Sequence, residues 1–364
     1  MGYTFGTFVT NMVFGSLIFC VSAAFLGRQE SVNKRTLQVV SVCMVLGIVR
    51  MLVPVEFFFS RTVGVPVILP YMHTLLKFPL FGGYMNLKEL LVLVWVAGSL
   101  VKGWKILHKY RNLKKILTAA PVVQSREITQ ILSEMHLNGQ NIRIVKQEGV
   151  FPCIAGLRQP VVLLPDMDLS REEMSYILKH ELLHYTHHHL WFKMAGELMG
   201  ILYWWNPIIV ILQRQITFIT EIKDDMVLTS SMEELQKVKY SQCLVRVAKE
   251  TGNGKAEFFL GLVENGAGML KKRILFILGG NGKNKRNGFA VVLLVLALVS
   301  NWLIFEPRYP IPAEYQTYDD LKDLEIIYED SEYYMIEDGE KVKVSGPDFL
   351  MPYVEGDEVL YENN

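Results

Sequence analysis

The sequence predicts a membrane protein in which four apolar spans carry an α+β domain set between the third and the fourth. Three observations point there. Hydrophobic residues make up 51% of the 364-residue chain and the mean hydropathy is positive, at +0.23, unusually apolar for a soluble protein of this length. Apolar runs long enough to cross about 30 Å of hydrocarbon recur along it. Between the third and fourth run, helical and alternating patterns replace the continuous apolar ones.

Residues 4–26 contain no charged side chain and make the first span. A cleaved secretory signal would need a basic start, and residues 1–8 hold neither Lys nor Arg, so an uncleaved span is expected. The second span covers 37–59 and is interrupted by Arg50 and Pro54; Arg50 is expected to face the bundle interior, with Glu56 as a candidate partner. Residues 87–107 form the third and residues 288–305 a short, charge-free fourth.

Cytoplasmic flanks collect Lys and Arg, and this sets the orientation. Arg28, Lys34 and Arg35 follow the first span; Lys102, Lys105, Lys109, Arg111, Lys114 and Lys115 mark the end of the third; Lys271, Lys272, Arg273, Lys283, Lys285 and Arg286 precede the fourth. The expected domains are therefore 1–107 with three spans, a cytoplasmic domain at 108–287, the last span at 288–305, and an extracytoplasmic tail or small domain at 306–364. Formal charge is zero overall, but that tail holds 17 acidic and 4 basic side chains. Its alternation of apolar and charged residues suggests a small strand-rich domain or partial disorder. Cys20, Cys43, Cys153 and Cys243 are widely spaced and form no CxxC pair, which argues against a disulfide framework or a thiolate zinc site.

Within the central domain, residues 125–137 have the apolar spacing of an amphipathic helix opened by Ser125. Residues 141–147 (NIRIVKQ) alternate like a strand, and 159–165 (QPVVLLP) read as a short apolar strand bounded by prolines. Ser170 followed by Glu173 is a capping-box start. The stretch 179–191, KHELLHYTHHHLW, thus falls on a helix.

On that helix His180 and His184 lie one turn apart on one face, able to present two imidazole nitrogens to one ion. Glu181 lies beside them, placed to take a proton from metal-activated water. A surface histidine pair is the bland alternative. A catalytic zinc site needs a third protein ligand, and residues 216–228 (ITFITEIKDDMVL) place Glu221 and Asp225 on one helix face at i, i+4. A glutamate on a following helix, with an aspartate one turn later, is the arrangement of HExxH…ExxxD peptidases.

Other features carry two readings each. His187, His188 and His189 read as a solvated or interfacial cluster, with substrate contact or an accessory metal as the sharper option. Strand 159–165 is either a plain core strand or an edge strand that pairs an extended substrate, which would bring Val162 and Leu163 to the substrate. Asn206 before Pro207 is a turn, or a substrate contact. Residues 279–288 lack the spacing of a phosphate loop and read as a basic linker.

Spans, the pattern Pro152, Gly156, Pro160, Pro165, the HExxH, WWNP at 204–207, the ExxxD helix, Tyr240 and KRI at 272–274 follow one another in an order that resembles the integral-membrane zinc metallopeptidases of the BlaR/MecR type. The resemblance implies a gluzincin-like, specifically minigluzincin-like, zincin fold for the cytoplasmic domain. It implies one catalytic Zn2+ held by His180, His184 and Glu221, with Glu181 as general base and Asp225 supporting a ligand from behind. A protein substrate is implied, in the sensor relatives a transcriptional repressor, and hence signal transduction. The alternatives are a membrane-protein quality-control or processing peptidase and a non-catalytic signal-transmitting receptor. The lipid bilayer and a second copy of the chain are the other expected partners; direct nucleic-acid binding is not expected. Two departures stand out. The family usually has a Cys-Asp pair where this chain has Asp224 and Asp225, and its C-terminal penicillin-binding sensor domain is not expected in the 59 residues after Phe305. The lone SxxK match at 31–34 is read as accidental.

Overall fold

The computed structural model describes residues 4–27, 34–53, 60–137, 141–251, 266–279, 288–307, 325–329, 332–337 and 340–344. The order is α1 (Phe5–Leu26), α2 (Lys34–Leu52), β1 (Arg61–Val65), α3 (Ile68–Leu76), β2 (Pro79–Leu80), β3 (Met85–Asn86) and α4 (Leu87–Ala119). There follow α5 (Arg126–Glu134), β4 (Arg143–Gln147), β5 (Cys153–Ala155), β6 (Val161–Pro165), α6 (Arg171–Thr186), α7 (His189–Leu202) and α8 (Ile208–Thr229). The chain continues through α9 (Glu234–Thr251), α10 (Gly266–Gly279), α11 (Gly288–Trp302), β7 (Leu303–Pro307), β8 (Glu325–Glu329), β9 (Glu332–Glu337) and β10 (Glu340–Val344). It divides into two compact units, Met1–Thr10 with Val55–Leu91 and Asn301–Asn364, and Asn11–Pro54 with Val92–Ser300.

Among the described residues three helices, α1, α2 and α4, are long and apolar enough to cross a membrane. The third runs past its predicted end at residue 107, to Ala119. The expected fourth span is cut short: α11 has 15 residues, about 22 Å of helix against about 30 Å of hydrocarbon. Residues 303–305 leave the helix because Leu303–Pro307 pairs in parallel with β1, Arg61 opposite Leu303 and Val65 opposite Pro307. Arg50 is buried in α2, and its candidate partner Glu56 lies outside the described residues. In the tail, β8, β9 and β10 form an antiparallel sheet in the order β10-β9-β8, the strand-rich arrangement that the alternation suggests.

The larger unit has two main cores. One gathers Phe19 of α1, Val40 of α2, Met199 of α7, Leu212 and Ile222 of α8 and Leu293 of α11. Each such side chain contributes about 1.5–3 kcal/mol when fully buried. Polar ties lock the helices: Gln215 Nε2 donates to the Phe19 carbonyl at 2.8 Å and the Tyr203 hydroxyl to the Met51 carbonyl at 2.7 Å. The other core joins α5, α6 and α9 to the sheet through Ile128, Val162, Leu164, Leu178, Leu182 and Val247.

That sheet has the order β4-β6-β5, with β4 parallel and β5 antiparallel to β6. The strand at 159–165 is therefore central, paired on both sides, and the edge-strand reading does not hold for it. Val162 is fully buried in this second core and Leu163 in a smaller cluster with Leu113, Leu117 and Val145, which removes them as substrate contacts. The sheet edge on this side belongs to β5. Gly156, at φ +94°, makes the turn from β5 to β6; a Cβ there would lie 2.4 Å from the Gln159 carbonyl oxygen.

The WWNP segment joins α7 to α8. Trp204 Nε1 donates to the Trp95 carbonyl at 3.2 Å, and Trp95 Nε1 to the Leu202 carbonyl at 2.6 Å. Gly98 makes this possible: a Cβ on it would lie 2.2 Å from Trp204 Cε2. Gly98→Ala should destabilise the protein by about 1–3 kcal/mol through overpacking. Gly103→Ala, in the same helix with nothing within 4 Å of its new methyl, should stabilise by up to about 1 kcal/mol; unfolding of the two variants in detergent measures the difference.

Candidate metal centre

Helix α6 begins as expected. Ser170 Oγ accepts from the Glu173 amide at 3.2 Å, and the Glu173 carboxylate accepts from the Ser170 amide at 2.9 Å. Arg246 of α9 fixes that end by donating to both Glu173 oxygens at 2.9 Å. The helix axis thereby presents His180, Glu181 and His184 inward, all buried.

Helix α8 supplies the opposing face. Its residues Ile209, Leu212, Ile216, Ile219 and Ile222 enter the apolar core, leaving Glu221, Asp224 and Asp225, at i, i+3 and i+4, for α6. His180 Nε2 lies 3.1 Å from Glu221 Oε2 and His184 Nε2 3.1 Å from Glu221 Oε1. The three residues each offer one ligand atom within 4.8 Å of the others.

Asp225 is fully buried and meets His180 Nδ1 at 3.3 Å. It accepts from the Tyr240 hydroxyl at 2.7 Å and from Arg273 Nε and Nη2 at 2.7 and 2.8 Å. Arg273 Nη1 also reaches Glu221 Oε2 at 2.9 Å. Burial opposes ionisation of Asp225, but the Arg273 charge and its hydrogen bonds outweigh it and hold the carboxyl down to about 2. Glu221 is likewise held well below the usual carboxylate range, against burial, by His184 and Arg273. Burial disfavours the charged form of His180, yet hydrogen bonds to Asp225 and Glu221 raise it to about 10.

The donor set suits a divalent cation. Two imidazoles and a carboxylate are the ligand types of zinc with one position left open.

Spacing on α6 alone does not reveal Arg273 or Tyr240. Both stand in motifs of the BlaR/MecR resemblance, but their contacts with Asp225 cross 48 and 15 residues of chain. In the histidine run, His187 and His188 are exposed and His189 is buried. His188 is exposed and left-handed at φ 57°, while His187 and His189 turn back to meet Asp224 with Nδ1 at 2.6 and 2.9 Å. Asn206 is also not exposed to substrate. It is buried, its Oδ1 accepts from the Ile208 amide at 3.0 Å and its Nδ2 donates to Ser16 at 3.1 Å, so it is the turn that starts α8. At the sheet edge, where β5 packs against α6, burial first and the Glu181 charge second push the Cys153 thiol up to about 12.

Replacing Arg273 by Met leaves Asp225 and Glu221 buried without their guanidinium. We expect a loss of roughly 3–5 kcal/mol, against about 1.5–3 kcal/mol for Tyr240→Phe, which removes one hydrogen bond to a charged group. Denaturant unfolding of the two variants gives the ranking; equal effects would contradict this account of Asp225.

A family model described as BlaR1 peptidase M56 matches residues 81–277, more than half of the chain. Among curated proteins the chain is similar to the methicillin resistance mecR1 protein of Staphylococcus aureus, 22% identical over 204 residues, which are 53% of this chain and 34% of that protein. The protein of the same name from Staphylococcus epidermidis gives the same figures. Regulatory protein BlaR1 of Bacillus licheniformis is 25% identical over 162 residues, 42% of this chain and 26% of that protein. The chain thus spans about a third or less of the length of these relatives. The family match takes in α6, α8, Tyr240 and Arg273, so the site and the comparison rest on the same residues: the chain belongs to the BlaR1 peptidase M56 family of metallopeptidases.

Proposed function

We propose that the protein is a membrane-embedded zinc endopeptidase that cleaves a protein substrate at the cytoplasmic face of the membrane, in regulatory proteolysis. The observation that carries this reading is the convergence of His180, His184 and Glu221, from two helices, beside the buried Glu181. His180 and His184 through Nε2, and Glu221 through its carboxylate, would hold the zinc. When bound, zinc supplies Lewis acidity to a water and to a peptide carbonyl.

Glu181 accepts the proton of the attacking water and returns it to the leaving amine. Asp225, Tyr240 and Arg273 keep His180 oriented. The edge of β5, which packs against α6, offers backbone groups to which an extended substrate adds as a strand. The basic flanks of the spans favour a cytoplasmic domain over 108–287 and an acidic tail over 306–364 on the other side. A regulatory substrate is favoured by similarity to a relative named for regulation, and a transcriptional repressor is the class we infer.

Purified protein should carry one zinc per chain. Glu221→Ala and His180→Ala should lose it, whereas Glu181→Gln should keep it and lose about 10²–10⁴-fold in cleavage rate. Metal analysis together with proteomics of cells bearing Glu181→Gln tests the reading. One soluble regulator should accumulate; a broad set of stabilised membrane fragments would point instead to housekeeping, and metal-free wild type would end the zinc proposal.

A further inference from the structure

Asp224 is fully buried and stands where relatives are expected to have cysteine. Its Oδ2 lies 2.5 Å from His184 Nδ1 and 2.9 Å from His189 Nδ1, and its Oδ1 2.6 Å from His187 Nδ1. Ionised carboxylate oxygens only accept, so each facing imidazole nitrogen carries its hydrogen. For His184 this has a direct consequence. With Nδ1 taken up by Asp224, Nε2 is the nitrogen turned toward Glu221, at 3.1 Å, and the one available to a metal.

His180 shows the same pattern with the next residue of α8, its Nδ1 on Asp225 and its Nε2 toward Glu221. Adjacent aspartates on one helix thus back the two histidines of the other. We propose, on the reading that His184 is a zinc ligand, that Asp224 is the positioning residue for His184, and that His187 and His189 clamp Asp224 from behind.

A second metal held by His184, His189 and Asp224 is the competing use of this cluster. His187 and His189 meet Asp224 at 2.6 and 2.9 Å in hydrogen-bond contacts, and zinc stoichiometry separates the two uses. The left-handed backbone of His188 is what lets the residues on either side of it both reach Asp224. Its own side chain is exposed.

The test is zinc affinity of the full-length protein in detergent, by competition with a chelator, together with zinc stoichiometry and the visible spectrum of the cobalt-substituted form. Asp224→Asn has one acceptor oxygen for three N–H groups and should weaken zinc binding about 10–100-fold with stoichiometry still at one and an altered cobalt spectrum. The double variant His187→Gln, His189→Gln leaves both Asp224 and His184 in place and should weaken it about tenfold. It decides the matter if Asp224→Asn does not fold. His188→Gly, which suits the left-handed backbone, should leave the affinity unchanged. Wild-type affinity in a folded Asp224→Asn or in the double variant would overturn the proposal, as would a second zinc per chain that these variants lose. Wild type that binds no zinc is a separate result, because it removes the underlying metal reading.

Discussion

Three carboxylates of α8, Glu221, Asp224 and Asp225, lie buried or nearly so against α6, and nearly every other feature of the site follows from the need to satisfy them. An unpaired buried charge is costly, so each one is met by a specific donor. Arg273 and Tyr240 serve Asp225, Arg273 and two imidazoles serve Glu221, and three imidazoles serve Asp224. The same residues read both as structural polar packing and as a metal centre.

Helix α8 couples this polar cluster to the apolar bundle. Its isoleucine and leucine face joins residues of α1 and α2, two of the helices long enough to cross a membrane, while its acidic face meets α6. The α7–α8 connection is held by side chain to backbone bonds at Trp204 and Tyr203 and by the Asn206–Ser16 pair, and α8 itself by Gln215. A shift of the apolar helices against α8 would therefore move Glu221 and the aspartates relative to the histidines of α6. Packed interiors resist such shifts continuously and yield to them in discrete steps, a property suited to a peptidase read as a signalling component.

Local signals were the legible ones. Ser170 with Glu173, the spacing of His180 and His184, the alternation of residues 141–147 and the charge-free run at 4–26 all act within a few residues, and each element forms where its pattern lies. Glu221 and Asp225 were legible for the same reason, being one turn apart on one helix. The end of the fourth apolar segment was not, because Leu303–Pro307 leaves the helix to pair with a strand more than 200 residues earlier. Nor was the position of residues 159–165 in the sheet, since a buried run of Val and Leu reads alike at the centre and at a covered edge.

The sequence by itself determined which side chains of α6 and α8 share a face, and that apolar helices frame them, because helical periodicity and hydropathy are properties of neighbouring residues. Only the tertiary structure decided what those side chains face. Asp224 and the histidine run lie 35 to 40 residues apart, and their meeting depends on a left-handed residue at His188 and on the packing of α7 and α8. Hydrogen bonds between distant elements leave no periodic trace in the chain, so a carboxylate that backs a histidine and one that is merely solvated look the same until the fold brings them together.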